Sequence, residues 1–169
     1  MPIQCLRTLY FSMVYPHILY GIEIYANTTK CSIKPLCIAH NKILRAMINT
    51  QLSKILSTNE LYSSFGLLTI PNLFRYQLFR LVHKYFHHNA LLPEIYKNYF
   101  TCNYSIHKYF TRQIGDIHVP NSDKNIGQKS IQKLGGSLWN NLPCDLKIIT
   151  STRAFSSKLK VYLIGNIVV

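Results

Sequence analysis

Between Ile3 and Ala26 the chain reads IQCLRTLYFSMVYPHILYGIEIYA, and Arg7 and Glu23 are the only Lys, Arg, Asp or Glu in that stretch. A helix this apolar around its whole circumference suits burial inside a bundle rather than one face on a core. Pro16 removes a backbone donor and forces a kink or break, and Gly21 loosens the residues after it. From Thr8 to Ile22 no charge occurs at all. With Arg7 ahead, this imitates a signal peptide, but Pro16 and His17 interrupt it and no small-residue cleavage pattern comes after. No apolar run reaches membrane-spanning length either, so the expectation is a soluble, intracellular chain.

Downstream, the helical text is amphipathic. Polar ANTTKCS marks a loop, Ser32 can cap a second helix with Pro35 in its first turn, and Leu36, Ala39, Ile43 and Met47 form one stripe while His40, Lys42 and Arg45 look outward. Ser57-Thr58-Asn59 ahead of Glu60 is a capping signal for a short helix that Gly66 stops, and LLTIPNL then turns the chain. From about Asn72 to His88, Phe74, Leu78, Leu81 and Tyr85 recur on one face, with Tyr76, Arg80, His83 and His87 opposite. Beyond residue 100 the texture becomes turn-rich. IHVP and KSIQKL can pair as an antiparallel ribbon connected through Asn121 to Gly127, and Gly135-Gly136 then turn off its second strand. The final segment, STRAFSSKLKVYLI, places Phe155, Leu159 and Leu163 on a dry face behind a Ser151 cap, with Arg153, Lys158 and Lys160 on the wet one. The expected fold is therefore mainly α: a helical region over residues 1–100, then a small α+β module over 101–169 with a two-stranded ribbon and a helix.

Charge narrows the partners. Nineteen Lys and Arg stand against six Asp and Glu, a formal +13, and the cations are interleaved with twelve tyrosines. Such a surface favours a polyanion, and nucleic-acid backbone is the partner that spread cations and aromatics suit best. The plainer reading is a solvated basic face. Chemistry is harder to find. Two-metal nucleotidyl transfer needs adjacent carboxylates, and none of the six acidic residues neighbours another. The five cysteines form no C-x-x-C pair, so reduced and mostly buried thiols are expected. His83 and His87 have metal-ligand spacing, but Lys84 takes the place where a zinc-protease helix needs its glutamate, so no metal and no cofactor is expected. Gly135-Gly136 lacks the lysine of a phosphate loop. Trp139, the sole tryptophan, with Leu138 and Leu142, reads as an apolar plug that Pro143 ends.

The order of these pieces resembles the carboxyl-terminal portion of reverse transcriptases from LINE-type, non-LTR retrotransposons. The resemblance rests on LRTLYFSMVYPHILYGIEIYANT, HNKILRAM, the Thr111-Arg112 pair with Pro120, the Gly127 and Ser130 spacing, Gly135 through Leu138-Trp139-Asn140 to Leu142-Pro143, and the last helix with Phe155. It implies a thumb-like helical region and a post-thumb module. The fingers and palm that hold the family's Asp-Asp site have no counterpart in these residues, so no catalytic residue is implied. A chain that begins inside a thumb-like region is expected of a truncated gene model, a decayed element or a domesticated remnant.

A thumb grips duplex through phosphates. The residues expected to do so are Lys42 and Arg45 first, then Arg75, Arg80 and Lys84, with Lys129 and Lys133 on the ribbon module. Arg112 is expected to be structural, pairing with a carboxylate or with carbonyls at the ribbon. The expected partners are RNA or RNA–DNA hybrid and the missing fingers-palm part. A structural or protein-interaction role, with self-association through the apolar N-terminal helix, is the alternative. A peripheral membrane role for the Arg153, Lys158 and Lys160 helix and the tail 164–169 is a third.

Overall fold

A computed structural model describes residues 3–48, 56–106, 109 and 111–166. The elements are α1 (Ile3–Leu9), a π-helical turn (Tyr10–Val14), α2 (Tyr15–Leu19), α3 (Ile22–Tyr25), α4 (Lys30–Met47), α5 (Thr58–Phe65) and α6 (Ile70–His87). A 3-10 turn (Asn89–Leu91), α7 (Glu94–Lys97), α8 (Asn103–Ile106), α9 (Asn125–Gln128), α10 (Ile131–Asn140), α11 (Cys144–Lys147) and α12 (Thr152–Gly165) come after. The chain divides into two compact units, residues 1–74 with 160–169 and residues 75–159. The change of texture near residue 100 falls inside the second of these.

In the first unit the N-terminal segment is helical but broken. Ahead of Pro16 the helix widens into the π turn, where the Tyr15 N–H reaches back to the Tyr10 carbonyl. Widening at this point relieves the clash that a proline ring makes with the carbonyl four residues earlier. Gly21 then takes the left-handed conformation at φ 66° and reverses the chain into α3. Contrary to burial all round, only Tyr10, Ile18 and Ile22 are buried among the described residues of this segment, while Met13, Tyr20 and Ile24 are 65%, 87% and 81% exposed. Tyr10 packs with Leu44, Leu61, Tyr62, Phe65 and Leu67.

Helix α4 starts three residues earlier than expected. Thr29, not Ser32, is its cap, so Pro35 lies past the first turn. Its inward edge is also rotated, because His40 and Leu44 are buried and Ile43 is exposed. The Ser57–Glu60 capping box and the left-handed Gly66 stop of α5 form as expected. Leu67 and Leu68 are buried and α6 begins at Ile70, with Pro71 in its first turn.

The ribbon of the second unit is not observed among the described residues. Residues 117–118 do pair antiparallel, but with Thr101–Asn103: His118 N–H donates to Thr101 O (2.8 Å), Asn103 N–H to Asp116 O (3.0 Å), and Cys102 faces Ile117 in an isolated bridge. KSIQKL is instead the start of α10, since the Ser130 hydroxyl accepts the Lys133 N–H at 3.2 Å and caps a helix. Gly135 and Gly136 are consequently helix-interior residues, not a turn. A side chain at Gly135 would meet Phe100 at 3.2 Å and Val82 at 3.3 Å, and one at Gly136 would meet Ile117 at 3.0 Å. The glycines are there for close approach of α10 to its neighbours.

Trp139, Leu142 and Phe155 are buried, with Leu138 half-buried, and Pro143 ends α10 and leads into α11. Trp139 stacks on Phe86 (5.4 Å, 20°) and lies 6.0 Å from Phe155. Asn140 bonds both backbone atoms of Ile117, its Nδ2 donating to the carbonyl and its Oδ1 accepting from the amide. That side chain occupies the place a second strand would take. Gly127 is held close to Ser122, whose hydroxyl stands where a Cβ would be. Phe155, Leu159 and Leu163 form the dry edge of α12 behind Ser151, as the sequence pattern requires.

Candidate nucleic-acid interface

The cations expected to contact phosphate separate by exposure. On α4, Lys42 is exposed and Arg45 half-buried, and Lys34 on the same helix is exposed as well. On α6, Arg75, Arg80 and Lys84 are all half-buried. At about 100° per residue, Arg75 and Lys84 project from opposite sides of the helix while Arg80 and Lys84 are neighbours, so the three do not form one stripe. Arg80 is held in place locally: Nη1 donates to Gln77 Oε1 at 3.5 Å, the guanidinium sits 5.7 Å from the Tyr76 ring centre, and buried Nε has no partner. Its role is at least partly to tie down the helix surface. Lys129 at the end of α9 is exposed, and Lys133 in the first turn of α10 is half-buried.

Arg112 is not structural in the expected sense. Thr111 and Arg112 are exposed in a turn where Thr111 O accepts the Ile114 N–H, and Arg112 has no ion pair among the described residues. The ribbon it was expected to brace is not observed among the described residues, and Arg112 is exposed. Pro120 is half-buried beyond the Cys102–Ile117 bridge. On α12, Arg153 and Lys158 are exposed, whereas burial and, after it, nearby Arg7 push the Lys160 ammonium below its usual range.

The histidines behave differently from their outward placement in the sequence pattern. His40 is 1% exposed in the first unit and both its nitrogens are bonded, Nε2 to the Tyr10 hydroxyl (2.7 Å) and Nδ1 to the Tyr62 hydroxyl (2.9 Å). Tyr62 donates its single proton to Asn41 Oδ1 at 2.7 Å. Nδ1 must therefore carry the ring proton, and Nε2 accepts from Tyr10. Burial holds the imidazole down at about 4 and raises both phenols.

His83 is fully buried in the second unit and stacks on Phe155 at 4.1 Å. Its Nε2 donates to Ile149 O (2.7 Å), while His87 and His88 donate to Lys147 O (3.1 Å) and Thr150 O (2.9 Å). Three imidazoles on the end of α6 thus hold the connection between α11 and α12. Carbonyls only accept, so each Nε2 carries a proton and is unavailable to a metal. Burial and, more weakly, its two histidine neighbours lower the basicity of His83. Among the described residues no group of three or more His, Cys, Asp or Glu side chains converges. The cysteines are less buried than expected, with Cys5, Cys31 and Cys144 exposed and only Cys102 buried.

The pattern missed one further feature, an apolar groove of about 500 Å³ in the first unit, lined by Met13, Val14, Ile18, Leu36, Ala39 and Ile43 among others. The signal was available in the equally good spacing Leu36, His40, Leu44 and Met47, which turns Ala39 and Ile43 outward.

Comparison with protein-family models, curated proteins and solved structures found no match among any of the three. Among the described residues no helix is long and apolar enough to cross a membrane.

Proposed function

We propose that the chain is a non-catalytic, nucleic-acid-binding fragment of the kind found at the carboxyl-terminal end of LINE-type reverse transcriptases, holding RNA or RNA–DNA hybrid by its backbone. One observation carries the binding half of this reading. Among the described residues Lys97 is tied to Glu94 at 3.1 Å, whereas five other cations on the surface have no ion pair. Lys34, Lys42, Arg112, Arg153 and Lys158 are exposed, and they lie on helices and a turn of both units. Cations left to solvent on rigid elements are what phosphate contact needs, and such contact releases counterions. The parentage rests on the collinear motifs of the sequence, and its polymerase chemistry is not carried onto any residue.

The test is filter binding of the full chain to an RNA–DNA hybrid across a salt series. Affinity should fall steeply between low and physiological salt, and Lys42→Ala should reduce the log–log slope by about 1. Absent or salt-insensitive binding overturns the proposal. A protein-interaction role is the second reading, favoured by the exposed Met13, Ile38 and Ile43.

A further inference from the structure

We infer that the outer face of α4, with the turn of helix beside it, is a docking groove for an amphipathic partner helix whose apolar stripe is flanked by carboxylates. The groove of about 500 Å³ between the π turn, α2 and α4 runs into a second concavity of about 410 Å³ along α4 lined by Cys31, Lys34, Pro35, Ile38, Ala39 and Lys42. Ala39 lines both, so the two adjoin on α4, and the inferred partner helix spans the pair as one track. Its α4 side recurs every three or four residues from Cys31 to Ile43, about 18 Å at 1.5 Å per residue, the length of roughly three helical turns. The apolar part is open: Met13, Ile38 and Ile43 are 65%, 44% and 37% exposed. A partner helix with anchors at i, i+3 or i+4, and i+7 matches such a track.

Charge selects the class of partner. Neither concavity has an Asp or Glu in its lining, whereas Lys34 and Lys42 stand on the track and His17 on the opposite wall. A second copy of this chain, itself at +13, would bring cations against cations. A helix with glutamates beside its leucines is complementary on both counts. Pro35, on the same track, has no N–H to give the Cys31 carbonyl. The inference does not depend on nucleic-acid binding, and its test contains no nucleic acid.

The experiment is fluorescence anisotropy of the full chain with a labelled synthetic peptide of about 14 residues, leucines at helical spacing and glutamates beside them, against versions with lysine flanks and with scrambled order. The Glu-flanked peptide should bind saturably and at least about tenfold more tightly than either control. Ala39→Trp, which fills the track at an exposed position, should weaken it about tenfold or more while the far-ultraviolet circular dichroism stays unchanged. A Lys34→Glu, Lys42→Glu double variant should invert the preference and favour the Lys-flanked peptide. Should Ala39→Trp disturb folding, that inversion alone decides. Equal binding of Glu- and Lys-flanked peptides, no binding of either, or a concentration-dependent dimer that Ala39→Trp abolishes would each overturn the assignment, the last by giving the groove to a second copy.

Discussion

Among the described residues each unit buries one histidine, and the two are solved differently. His40 sits in a closed polar set in which Tyr10, Tyr62 and Asn41 account for both ring nitrogens and one another's hydroxyls. His83 has one satisfied nitrogen, given to Ile149 O, and a buried Nδ1 with no partner, its ring being held mainly by Phe155 and by the aromatic group around Trp139. The difference separates two ways of placing a titratable ring in a core. In the first unit hydrogen bonds specify the position, and in the second shape does, with an unsatisfied nitrogen tolerated because the packing over-determines it.

The sharpest way to break the comparison is Trp139→Ala. Removing a buried indole that touches Phe86, Phe155 and His83 should cost about 3–5 kcal/mol, and hydrogen exchange should show protection lost in α10 before α5. Loss confined to α5 would contradict a shape-held second unit. Acid comes next. His40 has an ordinary value near 6.5 and a folded value of about 4, so the unfolded chain takes up the proton first as pH falls. Its contribution is complete above about pH 6.5 and declines between there and about pH 4, by up to roughly 3 kcal/mol. His83, also lowered, acts in the same direction. Denaturant melts at pH 7 and 5 should differ less in a His40→Gln variant than in the parent, and an unchanged difference would remove His40 from the account.

Smaller effects separate the two histidines more finely. His40→Leu strands the buried Tyr10 hydroxyl, removes one of the two bonds of Tyr62 and opens space beside them, and should cost about 2–4 kcal/mol. His83→Leu strands one carbonyl but also removes an orphaned nitrogen, and should cost about 1 kcal/mol less than that. Equal costs would mean that the bonds around His40 specify nothing. Of similar size is Tyr62→Phe, which leaves the Nδ1–H of His40 and Asn41 Oδ1 without their shared partner, for about 1–3 kcal/mol by thermal melting.

Much of this architecture was legible locally. The Ser57–Glu60 box and the Gly66 stop are dictated by neighbours within a few residues, while the dry edge of α12 and the burial of Trp139 follow from apolar spacing and residue type. The illegible part depends on distant partners. KSIQKL is a short run between turn-rich segments that suggests a strand, yet Ser130 caps it as a helix, and the strand-like Ile117 finds Cys102 and the Asn140 side chain instead. The two histidines carry polar labels locally and are buried only because their partners stand 30, 22 and 66 residues away. Exposed cations such as Lys42 and Lys158 were readable as outward-facing, since neither belongs to the apolar stripe of its helix. Arg75 and Lys84, nine residues apart, already stand on opposite sides of one helix by spacing alone, whereas the half-burial of Arg75, Arg80 and Lys84 depends on packing that spacing does not carry.

The wide turn before Pro16 has a geometric consequence of its own. Tyr10 and Ile18 are eight residues apart, which in a plain α-helix would set them about 80° out of phase. A π turn absorbs one residue without advancing the rotation in the same measure, so the pair is separated by the equivalent of about seven, close to two whole turns, and both are buried. The turn acts as a phase corrector. It lets the chain keep a proline and a continuous inner edge together, where an unbroken α-helix of the same sequence would have to give up one of them.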